Sequence, residues 1–309
     1  MSERVRPTGP IARAAARLVE AGIGSSARAE AEWLAAHVLG VPRARLALSA
    51  GFTPDQLAAF DALVARRASR EPLQHLLGTA PFRYLELAVG PGVFVPRPET
   101  ELLAEWGITV ARELARRAGE VIVVDLCSGS GAIALSVANE LPDARVVAVE
   151  RPGPALDWLR RNAAARREAG DRPVTVVAAD VTDPQLLADL RGQVDVVLCN
   201  PPYVPRGTPV PPEVADHDPP EAVFAGSDGL AVIRPVIVRA AALLRPGGAL
   251  GVEHDDTQGE AVPRLLRAHG YVDIGEHRDL AGRPRFATAR RALPTDRVDR
   301  PGAWQTGSS

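Results

Sequence analysis

From Glu120 onward, short runs of β-branched residues alternate with longer helical stretches, and this alternation restricts the fold more than any other property of the chain. Residues 121–126, 145–149, 174–178, 194–199 and 248–253 read as strands, with 271–276 and 285–289 as closing strands. Residues 132–140, 154–167, 185–190, 230–244 and 260–269 read as the helices between them. Strands joined through helices pair in parallel, so the expectation is an α/β fold around a doubly wound sheet. Such sheets hold ligands beyond the C-terminal ends of their strands. The residues that follow each strand are therefore the ones to read for chemistry.

After the first strand comes Asp125-Leu126-Cys127-Ser128-Gly129-Ser130-Gly131, a glycine turn that opens a helix. Glycine lets the backbone approach a ligand closely, and the helix start offers unpaired N–H groups. After the second strand, Glu150 is spaced to accept hydrogen bonds from two ribose hydroxyls. Together these point to a cofactor containing a nucleoside. Asp125, as a partner for an ammonium group, and Asp180, facing an adenine amine with Val181 beside the ring, favour S-adenosyl-L-methionine over a nicotinamide. Plainer roles exist for both: Asp125 as a cap of the turn, Asp180 as a cap of the short helix after it.

The fourth strand, Val-Asp-Val-Val-Leu-Cys, stops at Asn200-Pro201-Pro202-Tyr203. An amide or exocyclic amine nitrogen is a poor nucleophile because its lone pair is delocalised. Two acceptors facing its two N–H groups hold that lone pair toward an electrophile and stabilise the charge that develops. The Asn200 side-chain carbonyl and the Pro201 main-chain carbonyl are such a pair. The two prolines stiffen the loop and add no competing donor, and Tyr203 is suited to cover a planar group. Four specified residues at about 5% usage each recur by chance in ~0.002 of chains this long, so a mere Asn-Pro turn is the weaker explanation.

Upstream, residues 10–70 carry helical stripes (Ile11, Ala15, Leu18, Val19; then Ala31, Leu34, Ala35, Val38), with Thr53 as an N-cap before Pro54. Between residues 78 and 95 the period becomes two, and Gly90-Pro91-Gly92 suggests the turn of a hairpin. The chain of 309 residues exceeds the size of one core. It divides into a helical domain (1–78), a hairpin linker (79–97), a catalytic domain (98–291) and a loose tail (292–309). A net charge of −2 and 4% aromatic content disfavour direct nucleic-acid binding. Two cysteines are too few for a disulfide scaffold, and the histidines lack ligand spacing, so no metal is expected. No apolar run reaches the ~20 residues of a membrane span. A soluble, cytoplasmic monomer is the expectation.

These motifs resemble those of the HemK-type family, the peptide chain release factor N5-glutamine methyltransferases. The resemblance extends over residues 10–290 and includes Phe94-Val-Pro-Arg-Pro-Glu-Thr-Glu101, the glycine turn, Asn200-Pro-Pro-Tyr203, Ser227-Asp-Gly-Leu230, Gly247-Gly248 with Glu253-His254, and Gln258-Gly-Glu-Ala-Val262. It implies a class I S-adenosylmethionine-dependent methyltransferase fold, Rossmann-like with a mostly parallel seven-stranded sheet. It also implies methylation of the glutamine amide in the Gly-Gly-Gln loop of bacterial class I release factors, with the helical domain helping to dock that protein. Cofactor positions carry over to Cys127, Ser128, Gly129, Ser130, Gly131, Glu150, Val181 and Asn200, and substrate positions to Asn200, Pro201, Pro202 and Tyr203. Cys127-Ser128 stands where Gly-Thr is usual, Val181 where an aromatic is common, and Asp218-Pro219 where Glu-Pro is more usual. Three other readings remain: an amino-methyltransferase acting on adenine or cytosine in nucleic acid, a nicotinamide-dependent dehydrogenase, and a non-catalytic adaptor.

Overall fold

The computed structural model describes residues 4–294, in two compact units. The first comprises the residues up to Pro96 together with Thr208–Val223. Its helices are α1 (Thr8–Glu20), α2 (Ala27–Leu39), α3 (Pro54–Ala68) and α4 (Leu73–Leu77). Thr53 caps α3 in a reciprocal box: its hydroxyl accepts the Gln56 N–H at 3.2 Å, and the Gln56 side chain accepts the Thr53 N–H at 3.0 Å. Leu18, Leu34, Phe52 and Phe60 are fully buried, and the two phenylalanine rings stack at 5.2 Å. Each such side chain contributes roughly 1.5–3 kcal/mol of burial energy to this core.

A hairpin of β1 (Thr79–Phe82) and β2 (Leu85–Ala88) follows the helices. Its turn is Arg83-Tyr84, not the expected Gly90-Pro91-Gly92. Phe82, Leu85 and Leu87 are buried while Tyr84 is 77% exposed, so the break in alternation at Tyr84-Leu85 was the true turn signal. Arg83 takes the positive φ (52°) that the turn demands. The proline-rich stretch beyond Tyr203 holds two short helices, α8 (Pro212–His217) and α9 (Pro220–Val223). Buried Arg67 binds Glu30 at 2.5 Å and Glu213 at 3.0 Å, and Arg70 takes the other Glu213 oxygen at 2.7 Å, which fastens α8 to α3.

The second unit begins with α5 (Thr100–Ala118) and β3 (Val121–Leu126), then α6 (Ala132–Glu140), β4 (Ala144–Glu150), α7 (Pro154–Glu168), β5 (Thr175–Ala178) and β6 (Val194–Cys199). It continues with α10 (Ile233–Leu243), β7 (Leu244–Glu253), α11 (Ala261–Ala268), β8 (Tyr271–Arg278) and β9 (Pro284–Arg291). The expected short helix at 185–190 is instead turns ending in a 3-10 segment, Ala188–Leu190. The seven-stranded sheet runs β5-β4-β3-β6-β7-β9-β8, parallel except that β9 is antiparallel to both neighbours. This is the class I methyltransferase architecture that the resemblance implied. All six residues of β6 are buried, Asp195 among them. Its carboxylate is satisfied by the Ile122 N–H at 2.8 Å and Arg245 at 2.6 Å, which makes burial of the charge tolerable. On one face α5 lies tight against β6 and β7: a Cβ on Gly107 would sit 2.5 Å from Leu198, and one on Gly251 2.7 Å from Leu103 and Trp106. Of the tail expected at 292–309, residues 295–309 lie outside the described residues.

Candidate active site

Strand order reverses between β3 and β6, so loops leaving those two ends diverge and open a crevice. Leu126 is in register with Cys199 and with Val149, and Glu150 with Ala178. Cys199 is in register with Val252 on the far side. The glycine turn, Glu150, Asp180-Val181, Asn200 and Glu253 thus leave one edge of five adjacent strands.

The glycine turn is held by its own backbone and by neighbours. Ser128 N–H donates to Val149 O (3.0 Å), Ser128 Oγ to Asp125 O (3.0 Å), Gly131 N–H to Ser128 O (2.8 Å), and Asn162 to Ser130 O (2.9 Å). Gly129 and Gly131 have φ of 57° and 92°, and a Cβ on Gly131 would strike Leu159 at 2.7 Å. Cys127 also has a positive φ, 58°, so the departure from glycine there places a side chain in a conformation that costs about 1–2 kcal/mol.

Asp125 is 1% exposed. Its Oδ2 accepts the Ala134 N–H at 3.1 Å, while Oδ1 is buried with no partner. The capping role anticipated from sequence is therefore real, yet it uses one oxygen and leaves the other. Burial, with the nearby Glu150 carboxylate adding to it, pushes the Asp125 carboxyl up to about 7. Glu150 accepts the Gly129 N–H at 2.8 Å and the Arg151 N–H at 3.1 Å, and burial raises its pKa too. A buried carboxylate with an orphaned oxygen and a half-buried one at the neighbouring strand end fit a ligand that brings cationic and hydroxyl groups. S-adenosyl-L-methionine, with its ammonium, sulfonium and ribose, matches that donor set. Asp180 is exposed, and its Oδ1 takes both the N–H and the hydroxyl of Thr182 at 2.7 and 2.6 Å, a local turn in place of the expected helix cap, since the helix expected at 185–190 does not form; Val181 beside it is buried.

Asn200 is half-buried, and its Nδ2 donates to the Thr100 hydroxyl at 3.0 Å. The amide carbonyl is thereby left as the acceptor end. Tyr203 donates its hydroxyl to Glu253 Oε1 at 3.0 Å, and burial followed by the Glu253 charge pushes the phenol well above its usual pKa. Its carbonyl accepts Gln258 Nε2 at 3.0 Å, and the same nitrogen reaches Asp228 O at 3.1 Å. A Cβ on Gly229 would lie 2.1 Å from Tyr203 O, so only glycine fits under the loop. Val204 bridges to Phe224 and closes it.

Sequence reasoning missed Thr100, Gly229, Glu253 and Gln258 as parts of this site. All four lie inside segments that carried the family resemblance, but their neighbours in space are distant in sequence. The one direct signal was Glu253, a charged residue ending an apolar strand on the ligand-bearing edge.

The sequence model described as the PrmC N-terminal domain matches residues 11–78, and that of the methyltransferase small domain matches residues 109–212. A release factor glutamine methyltransferase of Mycolicibacterium smegmatis is 52% identical over 282 residues, covering 91% of this chain and 96% of its own length. That of Streptomyces coelicolor is 50% identical over 291 residues, covering 92% and 98%. Among solved structures, the hMettl16 catalytic domain in complex with a 3′UTR hairpin superimposes with a TM-score of 0.53 at 17% identity, over 77% of this chain and 84% of that one, a likeness of fold alone.

Proposed function

We infer the reaction from a single premise: this chain belongs to the release factor glutamine methyltransferase family. Its substrate is then a bacterial class I peptide chain release factor, methylated on the side-chain amide nitrogen (N5) of the glutamine in the Gly-Gly-Gln loop. S-adenosyl-L-methionine supplies an electrophilic methyl carbon. Asp125 Oδ1 receives the ammonium, Glu150 the ribose hydroxyls, Val181 and Asp180 the adenine, and the backbone from Cys127 to Gly131 lies under the methionine portion. The Asn200 carbonyl and the Pro201 carbonyl take the two N–H groups of the glutamine amide and turn its lone pair toward the methyl carbon. Charge developing on nitrogen meets those two fixed acceptors, and the proton leaves for solvent after transfer, so no general base is required. Tyr203 and Pro202 wall the planar amide. Residues 1–78 serve as the docking platform for the release factor, residues 98–291 as the catalytic part, and the protein works as a cytoplasmic monomer without direct nucleic-acid contact.

The observation that carries this reading is the orientation of Asn200, whose nitrogen is taken by Thr100 so that its oxygen is the free end. A relative named 4-amino-L-phenylalanine/4-methylamino-L-phenylalanine methyltransferase, 41% identical over 83% of this chain, indicates that the scaffold tolerates other amine acceptors, so the test uses several. Purified protein incubated with labelled S-adenosylmethionine is expected to label release factor and not oligonucleotides or free aminophenylalanine. Asn200→Ala should cut transfer by about 10²–10³-fold, the usual cost of deleting one preorganised polar group, with S-adenosylhomocysteine binding retained. Unchanged transfer by Asn200→Ala would overturn the reading, as would label in oligonucleotide alone.

A further inference from the structure

The chain between Tyr203 and Asp228 is an excursion. It leaves the second unit after the Asn-Pro-Pro-Tyr turn, and its middle, Thr208–Val223, belongs to the first unit, where Arg67 and Arg70 hold Glu213. The turn assigned to the substrate amide is therefore continuous with a segment that belongs to another body. A displacement of that segment would pull on Tyr203 unless something held the excursion at its mouth.

One side chain closes the mouth. Gln258 is 4% exposed and ends the 3-10 turn Asp256–Gln258 that follows β7. Its N–H donates to Asp255 O at 2.9 Å and its Oε1 accepts the Asp255 N–H at 3.0 Å, so the carbonyl end is committed within its own turn. The amino end then faces away and donates one hydrogen to Tyr203 O at 3.0 Å and the other to Asp228 O at 3.1 Å. All three partners of the side chain are main-chain groups of fixed hydrogen-bonding character, which leaves the amide a single orientation. The two carbonyls it ties are the two ends of the excursion. Just beyond them the arms of the neck are joined by Ala225 N–H to Val204 O at 2.9 Å and Arg206 N–H to Gly226 O at 2.8 Å. Gly229 leaves no slack beneath, since a Cβ there would lie 2.5 Å from Gln258 Nε2.

Resting on the function inferred above, we propose that Gln258 is a positioning residue. It clasps both ends of the 204–227 excursion and so keeps Tyr203, and the turn behind it, still while the middle of the excursion follows the first unit. Its action passes through the main chain of Tyr203, three residues from Asn200, whose aim at the substrate amide depends on a rigid turn. The Tyr203 hydroxyl is held separately, by Glu253 at 3.0 Å, so the clasp governs the backbone of that residue and not its ring.

Gln258→Glu keeps the shape but turns an oxygen toward the two carbonyls. An ionised carboxylate cannot donate, so both ties are lost; once protonated it recovers one of them. At pH 8 and saturating cofactor we expect kcat to fall by about 10–10²-fold, with Kd for S-adenosylmethionine changed by less than about threefold. Asp255, Asp228, Glu253, His254 and Glu276 on the neighbouring segments titrate in both proteins alike, so the ratio of unaltered to variant kcat isolates residue 258. That ratio should shrink severalfold between pH 8 and pH 6. Gln258→Met, which can donate at no pH, should show a similar loss at a constant ratio. Amide exchange at Arg206 and Ala225 should quicken in both variants while that of β6 is unchanged. Normal kcat in Gln258→Glu at pH 8 refutes the proposal. So does a loss with the neck amides as slow as before, or one in which β6 exchange and cofactor affinity deteriorate in step with kcat. Either variant decides alone through kcat and exchange, should the other fail to fold. If the unaltered protein does not methylate release factor, it is the proposed function that fails, and the exchange pattern still reads the clasp.

Discussion

Asp125 gives the sharpest quantitative consequence. Its carboxyl lies near 7 because burial disfavours the charged form, and an ammonium partner would favour that form again. Below pH 7 a bound S-adenosylmethionine must therefore expel a proton from Asp125 in order to pair with it. If only the ionised form binds, apparent Kd scales as 1 + 10^(7 − pH). Lowering the pH from 7 to 5.5 raises that factor from about 2 to about 33, a weakening of roughly 15-fold or ~1.6 kcal/mol. The ligand's α-amino group is protonated throughout that window, so it adds no slope of its own. The stability sign is opposite. Because the folded pKa is raised above the unfolded value of 3.8, the empty protein is favoured by this group at low pH and loses that contribution as pH climbs through about 7. Calorimetry in two buffers of different ionisation enthalpy reads both affinity and proton count. The expectation is proton release on binding at pH 6.5 and a steep fall in affinity toward pH 5.5. In Asp125→Asn binding should be weaker at pH 7 and its pH slope shallower, with Glu150 contributing what remains. Equal slopes in the two proteins, or proton uptake on binding, would refute the assignment of Asp125 to the ammonium.

Two further outcomes follow from backbone geometry. Cys127→Gly removes a side chain from a residue at φ 58°, and should leave stability equal or up to about 1 kcal/mol higher by chemical denaturation, since the relief of strain exceeds the added chain entropy. Gly229→Ala should do the reverse: at φ 71° and with Tyr203 O only 2.1 Å from the new Cβ, it should cost about 2–4 kcal/mol and lower kcat by at least about tenfold through displacement of Tyr203.

How much of this was readable beforehand differs by the kind of interaction. β3, α6 and β6 were legible to the residue, because largely apolar runs ended by turn-forming residues leave little choice of boundary. β7 is longer than expected, starting at Leu244, because Arg245-Pro246-Gly247-Gly248 looks like a turn while the strand carries on through an irregularity opposite Val194 and Val196. The hairpin turn was misplaced for a related reason: glycine and proline are loud signals, and Arg83 in a left-handed conformation is a silent one. At the site, groups belonging to the ends of strands could be gathered by topology alone, and the register brings Asn200 and the glycine turn to adjacent ends. The bond from Asn200 to Thr100 spans a hundred positions, and nothing local announces it. Glycine in the middle of α5 was equally mute until Leu198 was seen beneath it.

That glycine has a reach beyond its own contact. Gly107 and Gly251 let α5 seat directly on the sheet, and Thr100 begins the same rigid rod about 10 Å away. A methyl group added at either glycine would lift the rod as a lever lifts its tip, and Thr100 would leave Asn200 without any residue at the chemistry having changed. The packing layer thus reaches the chemistry, because two missing side chains set the aim of a reaction neither of them touches.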